Sequence, residues 1–176
     1  IASVVIHLFF TAGTDGRNTT YHSADQTAGD SADVIVYGAT SAGIAAAVQL
    51  SRMGRSVLVI NPNDHVGGMT TGGLGQRDIG DKRAIGGFAR EFYAGIKKFY
   101  DNPENWVWQE QSEYRDGGQT RTLPGEDVMW TFEPHAAASV FDTFLTENDI
   151  HIIINERILL QNGVEKQGSR INCIVT

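Results

Sequence analysis

The chain has 176 residues, 41% of them hydrophobic and 20% charged, with a formal net charge of -7. That length suits one ordinary domain with its own core, and the acidic balance, without a cluster of Lys and Arg, excludes a surface built for nucleic acid or anionic membranes. A single cysteine, Cys173, excludes an intramolecular disulfide and a cysteine-only metal site.

From the start, "IASVVIHLFF" is an apolar run followed by the small residues Thr11, Ala12 and Gly13. This fits the tail of a secretory signal peptide, and the run is too short to span a bilayer; the alternative is a buried strand. Residues 11–30 are polar and without periodicity, as in a linker. Residues 1–31 are therefore expected to be a leader remnant plus linker, and the protein to be exported, periplasmic or extracellular, with the cytoplasm as the alternative. Asn18-Thr19-Thr20 is formally a glycosylation sequon.

Residues 32–176 carry the folded part. Asp33 to Tyr37 is short, β-branched and apolar, which predicts a buried strand stopped by Gly38. Ser41 to Met53 has helical spacing, with Ile44, Ala47, Val48 and Ser51 on one face and Gly54 as the stop. "SVLVI", Ser56 to Ile60, is a second apolar strand, so the three form a βαβ unit with parallel strands. An irregular stretch follows, and eight glycines fall between Gly67 and Gly87. A helix over about 85–100 places Phe88, Phe92, Ile96 and Phe99 on one side. Residues 101–130 read as an irregular insertion. A third helix starts near Pro134, with Ala137, Val140, Phe141, Phe144 and Leu145 at helical spacing. "HIIIN", "RILL" and "RINCIVT" read as short strands joined by tight turns, one of them at Asn162-Gly163; Cys173, in the last run, reads as core. The fold class is α/β, a Rossmann-like parallel sheet with a βαβ unit and a small β-meander.

The turn "GATSAG" carries the chemistry. A phosphate-binding turn needs a tight exit from the strand, open approach to the backbone, and close packing of helix on strand. Gly38 supplies the first and Gly43 the third. Between them lie Ala39, Thr40, Ser41 and Ala42; Thr40 stands where a second glycine is usual, and its hydroxyl can donate to a phosphate oxygen. The helix start adds N–H groups and about half a positive charge. The residue closing the second strand, usually an acid that accepts from a ribose, is Asn61, with Asp64 as a fallback. No Arg follows at once, so a preference for NADP has no support.

The segments "DVIVYGATSAGIAAAVQLSRMGRSVLVI", "HVGGMTTGGLG", "DIGDKRAIGGFAREFY" and "WTFEPHAA" resemble, over Asp33 to Thr176, the FAD-dependent oxidoreductase family, some bacterial members of which carry a xanthan lyase-like label, within the glutathione-reductase-type flavoprotein fold. The resemblance implies FAD with its pyrophosphate over Gly38 to Gly43, its ribose near Asn61, and the pair Gly67-Gly68, with Met69, along the cofactor. His65 fills a position where such flavoproteins often have Arg. Gly72, Gly73 and Gly75 would let backbone approach a flat ring. The chain then reads as an N-terminal piece of a longer redox enzyme, incomplete at both ends, taking hydride from a small-molecule or carbohydrate-derived substrate. His135, Arg90, Glu91, Asp78 and Asp81 are further candidates without an assigned role, and Trp106, Trp108 and Trp130 offer either a carbohydrate-stacking surface or core. Two other classes stay open: an NAD-dependent or other nucleotide-binding enzyme, which leaves the glycine-rich stretch unexplained, and a polysaccharide lyase or carbohydrate-binding protein without a redox cofactor.

Overall fold

The computed structural model describes residues 4–7, 21–22, 31–73, 79–115 and 117–176. They fall into two compact units, one of residues 1–66 and 144–176, the other of residues 67–143.

The first unit is built on a parallel sheet. Strand β1 (Val4–His7) and strand β2 (Tyr21–His22) precede β3 (Ser31–Ala32) and β4 (Val34–Tyr37). Helix α1 (Ser41–Arg52) then crosses to β5 (Val57–Asn61). With α2 (Gly87–Tyr100) and the first part of α3 (Pro134–Glu147) in the second unit, the chain returns as β6 (His151–Ile154), β7 (Val164–Gln167) and β8 (Arg170–Val175). The first sheet has the order β2-β6-β5-β4, all parallel. The second has the order β3-β1-β8-β7, with β1 parallel to β8 and a β7–β8 hairpin.

Burial follows from these neighbours. β5 has a strand on each side and all but its first residue buried. Leu58 and Ile60, two apart and so on one face, pack with Ile153 of β6, Ala32 and Ile174. α1 buries Ile44, Ala47 and Val48; full burial of Ile44 alone is worth about 2 kcal/mol. Its end is set by Gly54, in the left-handed region at φ 74°. At the base of the β4–β5 pair, Asp33 N donates to Ser56 Oγ at 2.8 Å and Ser56 N returns a bond to Asp33 Oδ2 at 3.1 Å.

Two expectations need correction. β4 is only partly buried, with Tyr37 48% exposed, because among the described residues β5 is its one sheet neighbour. "RILL" is not a strand: Asn155 and Asn162 bracket it at φ 62° and 59°, and Leu160 lies in solvent while Ile158 packs on the core. The expected turn at Asn162 is present, at residues 160–162 before β7, and the β7–β8 hairpin turns at Gly168 and Ser169, Gln167 facing Arg170.

In the second unit, α2 buries Phe92, Ile96 and Tyr100. Phe92 stacks on Phe141 at 4.8 Å and meets Phe132 edge-on at 5.4 Å. A Cβ on Gly95 would lie 2.8 Å from Val140 Cγ1, so the two helices approach closely there. Among the described residues of 101–130 the regular structure is short 3₁₀ turns, at Pro103–Asn105, Gln111–Glu113 and Gly118–Thr120. Among the described residues no helix is long and apolar enough to cross a membrane.

Candidate functional site

The turn between β4 and α1 is shaped by two glycines for different reasons. Gly38 sits at φ 105°, where a side chain is strained even though the space beside it is open. Gly43 has an ordinary φ, but a Cβ there would stand 2.0 Å from the Gly38 carbonyl oxygen and 3.4 Å from Val36 Cγ1. Its missing side chain is what lets α1 lie against the strand.

Thr40 is the N-cap of α1. Its Oγ1 accepts from Gly43 N at 3.2 Å, and its carbonyl accepts from Ile44 N at 2.8 Å. The hydroxyl that stands in the usual glycine's place thus stabilises the helix start by about 1 kcal/mol. Its own proton remains available to an oxygen outside, since a hydroxyl both donates and accepts, and the residue is exposed.

Two residues expected to touch the cofactor face inward and hold each other. Ala39 is 1% exposed, and its N–H donates to Asn61 Oδ1 at 2.8 Å. Asn61 is 4% exposed. Its Nδ2 donates to the carbonyls of Asn63 at 2.8 Å and His65 at 3.0 Å, and lies 3.2 Å from Asn63 Oδ1. The amide oxygen that would accept from a ribose is therefore buried and already accepts from the turn itself. Asp64 and His65 are exposed on the turn that follows.

The structure brings Gly38, Ala39, Thr40, Ser41, Ala42, Gly43, Asn61 and His65 together in the first unit. Gly67, Gly68, Met69, Gly72 and Gly73 belong to the second, in and after a 3₁₀ turn of Gly68–Thr70. Gly67 is buried at φ 98°, and a Cβ on it would meet Thr71 Cγ2 at 2.4 Å and Phe141 Cδ2 at 3.1 Å. Gly68 and Gly73 also have positive φ, Gly73 with open space beside it. Met69 is 76% exposed. Gly75 and Asp78 lie outside the described residues, as do residues 8–20 with Asn18.

The remaining candidates separate. Arg90 pairs with Asp127. Asp81 caps a 3₁₀ turn, and the Arg83 side chain, with its N–H, holds the Asp81 carboxyl below the usual carboxylate range. Glu91 is exposed on α2. Trp130 is fully buried against Tyr93, Trp106 packs on Tyr100, and Trp108 is 83% exposed, so the three do not form one stacking surface. His135, at the start of α3, is half exposed and 3.8 Å from Glu133 Oε2. That carboxylate instead accepts from Tyr100 OH at 2.9 Å, while Glu133 N donates back to the same hydroxyl at 3.1 Å. Burial, with the adjacent Glu133 carboxylate adding to it, pushes the Tyr100 phenol above its ordinary value. The Tyr100–Glu133 pair joins residues 33 apart, and no local pattern announces it.

A strand–glycine turn–helix–strand unit with this close approach defines a dinucleotide-binding fold. The model of the FAD dependent oxidoreductase family matches residues 33–176. The chain belongs to that family, whose cofactor is FAD. No curated protein matches it significantly. Among solved structures it is similar to OTEMO in complex with FAD and NADP, at 17% identity and a TM-score of 0.38 over 72% of this chain and 19% of that one. It is also similar to a flavin monooxygenase mutant from Stenotrophomonas maltophilia, at 13% identity and TM-score 0.41 over 82% and 35%. A third is 3-ketosteroid-delta4-(5alpha)-dehydrogenase from Rhodococcus jostii RHA1 in complex with 4-androstene-3,17-dione, at 15% identity and TM-score 0.42 over 82% and 44%. The chain thus spans less than half the length of each of these three proteins.

Proposed function

We propose that the protein is a FAD-dependent oxidoreductase acting on a small-molecule or carbohydrate-derived substrate. Gly38, Thr40, Ser41, Ala42 and Gly43 hold the pyrophosphate; His65, Gly67, Gly68, Met69, Gly72 and Gly73 line the cofactor. The observation that carries this reading is the turn, where a Cβ on Gly43 would stand 2.0 Å from the Gly38 carbonyl oxygen in a chain of this family. FAD, when bound, supplies an acceptor for a hydride.

The chain's own part is binding and orientation. The start of α1 offers main-chain N–H groups and about half a positive charge to an anion. Thr40 donates its hydroxyl proton to a phosphate oxygen while its oxygen keeps the Gly43 N–H. The His65 imidazole, neutral or charged, can donate to an oxygen of the cofactor. Ala39 and Asn61 hold the turn in shape and touch no phosphate.

The visible spectrum of the purified full-length protein tests this. Flavin bands near ~370 and ~450 nm are expected; a colourless protein that also fails to take up added FAD overturns it. We further propose that the protein is exported, with residues 1–31 as leader and linker. The apolar run Ile1 to Phe10 followed by small residues supports this. Mass spectrometry of the mature protein should find the run removed; finding Ile1 to Phe10 retained would reject export by this route and favour the pairing of Val4–His7 with β8.

A further inference from the structure

Asn61 stands where a dinucleotide-binding fold usually presents an acid to the ribose, yet its side chain points into the protein. Oδ1 holds the Ala39 N–H at 2.8 Å, and Nδ2 faces two main-chain carbonyl oxygens, of Asn63 at 2.8 Å and His65 at 3.0 Å. Asn63 Oδ1 in turn accepts from His65 N at 3.0 Å. The main chain is tied as well: Glu156 N donates to Asn61 O at 3.1 Å and Asn155 N to Asn63 O at 3.3 Å.

These partners require an amide. An acceptor alone satisfies Ala39, but the other arm must donate, because it faces only oxygens. A carboxylate of the same shape would set a negative oxygen against two carbonyls at 4% exposure, where burial and unfavourable dipoles both penalise charge. Both Nδ2 protons are directed inward and Oδ1 accepts from Ala39, and at 4% exposure the remaining lone pair of Oδ1 is out of a ligand's reach.

We propose that Asn61 is a positioning residue, a neutral amide clamp joining the phosphate turn to the 62–65 turn, and that the adenosine ribose is bound without a carboxylate from the end of β5. This rests on the FAD reading above. The clamp fixes Ala39 on one side and His65 on the other, so it sets the distance between the pyrophosphate turn and the exposed turn beyond the strand.

The alternative, a ribose contact by Asn61, predicts effects of opposite sign. Restoring the usual acid by Asn61→Asp should tighten FAD if the side chain meets the ribose, and loosen it if the side chain is a clamp. The experiment measures FAD dissociation constants by flavin fluorescence, and melting of the cofactor-free form, for full-length wild type and Asn61→Asp between about pH 8 and about pH 5. At the alkaline end the variant should bind at least about tenfold more weakly. Burial opposite carbonyls raises the carboxyl's pKa, so protonation on acidification restores one donor and the acceptor. Affinity and melting temperature, each taken relative to wild type at the same pH so that the contributions of Asp64, His65 and Glu156 beside the clamp cancel, should then recover toward wild type. Equal or tighter binding by the variant at about pH 8, or a loss that acidification does not reverse, rejects the clamp.

FAD lacking the adenosine 2′-hydroxyl provides a second route through Asn61→Ala. Additive losses from the substitution and the missing hydroxyl support the clamp; losses that do not add mean that the two groups touch. If wild type takes up no FAD, the cofactor reading fails, while the pH-dependent melting still decides for or against the clamp.

Discussion

The turn at Gly38–Gly43 and the glycine run at Gly67–Gly73 each depend on a glycine that admits no side chain, and they exclude one on different grounds. In the first, the obstacle at Gly43 is a main-chain carbonyl, which cannot move without lifting α1 off the sheet. In the second, the nearest obstacle at Gly67 is the side chain of Thr71, which can rotate or be replaced. The first turn is closed by backbone; the second is crowded by neighbours that can give.

Substitutions can break this contrast. Gly43→Ala should have the largest effect, about 3 kcal/mol of unfolding free energy and loss of FAD uptake, read by urea denaturation and flavin absorbance. Gly67→Ala comes next, at about 2 kcal/mol, combining positive φ with the Thr71 overlap. Adding Thr71→Ala should make the pair cost less than the sum of its parts. A strictly additive pair, or a Gly67→Ala cost matching that of Gly43→Ala, would remove the distinction.

Gly38→Ala and Gly73→Ala share positive φ and open space, so each should cost only about 1–2 kcal/mol; near-equal melting shifts would show conformation alone at work. Smallest is the cap: Thr40→Ala should cost about 1 kcal/mol and Thr40→Gly only a few tenths. If the glycine variant is the weaker of the two in thermal melts, Thr40 does more than cap α1.

Gly38 and Gly43 are legible in the chain because their demand is local, a turn and a helix start at fixed spacing. Thr40 reads first as a departure from a glycine pattern, although a Thr before an alanine-rich run is also an N-cap signal. Asn61 is different: its partner Ala39 lies 22 residues away, and whether its amide turns inward depends on where the His65 carbonyl falls after folding. "RILL" misleads because an apolar run does not reveal that asparagines on both sides adopt left-handed backbone. The helix faces are the most legible part, since Phe92 and Ile96 on α2, and Val140, Phe141 and Phe144 on α3, are buried as their spacing predicts, although Phe88 and Phe99 are only partly buried and Tyr100 is buried beside them.

The reciprocal bonds between Asp33 and Ser56 lie at one end of the β4–β5 pair, and the Ala39–Asn61 bond lies at the other. Together with the main-chain bonds Val34 N to Ser56 O and Gly38 N to Ile60 O, they rivet the two strands at both ends, so the height of the phosphate turn above the sheet is set by the strand pair rather than by the connecting segment. An insertion after Gly54, beyond the stop of α1, should therefore leave the cofactor cradle at the far end of the strands unchanged.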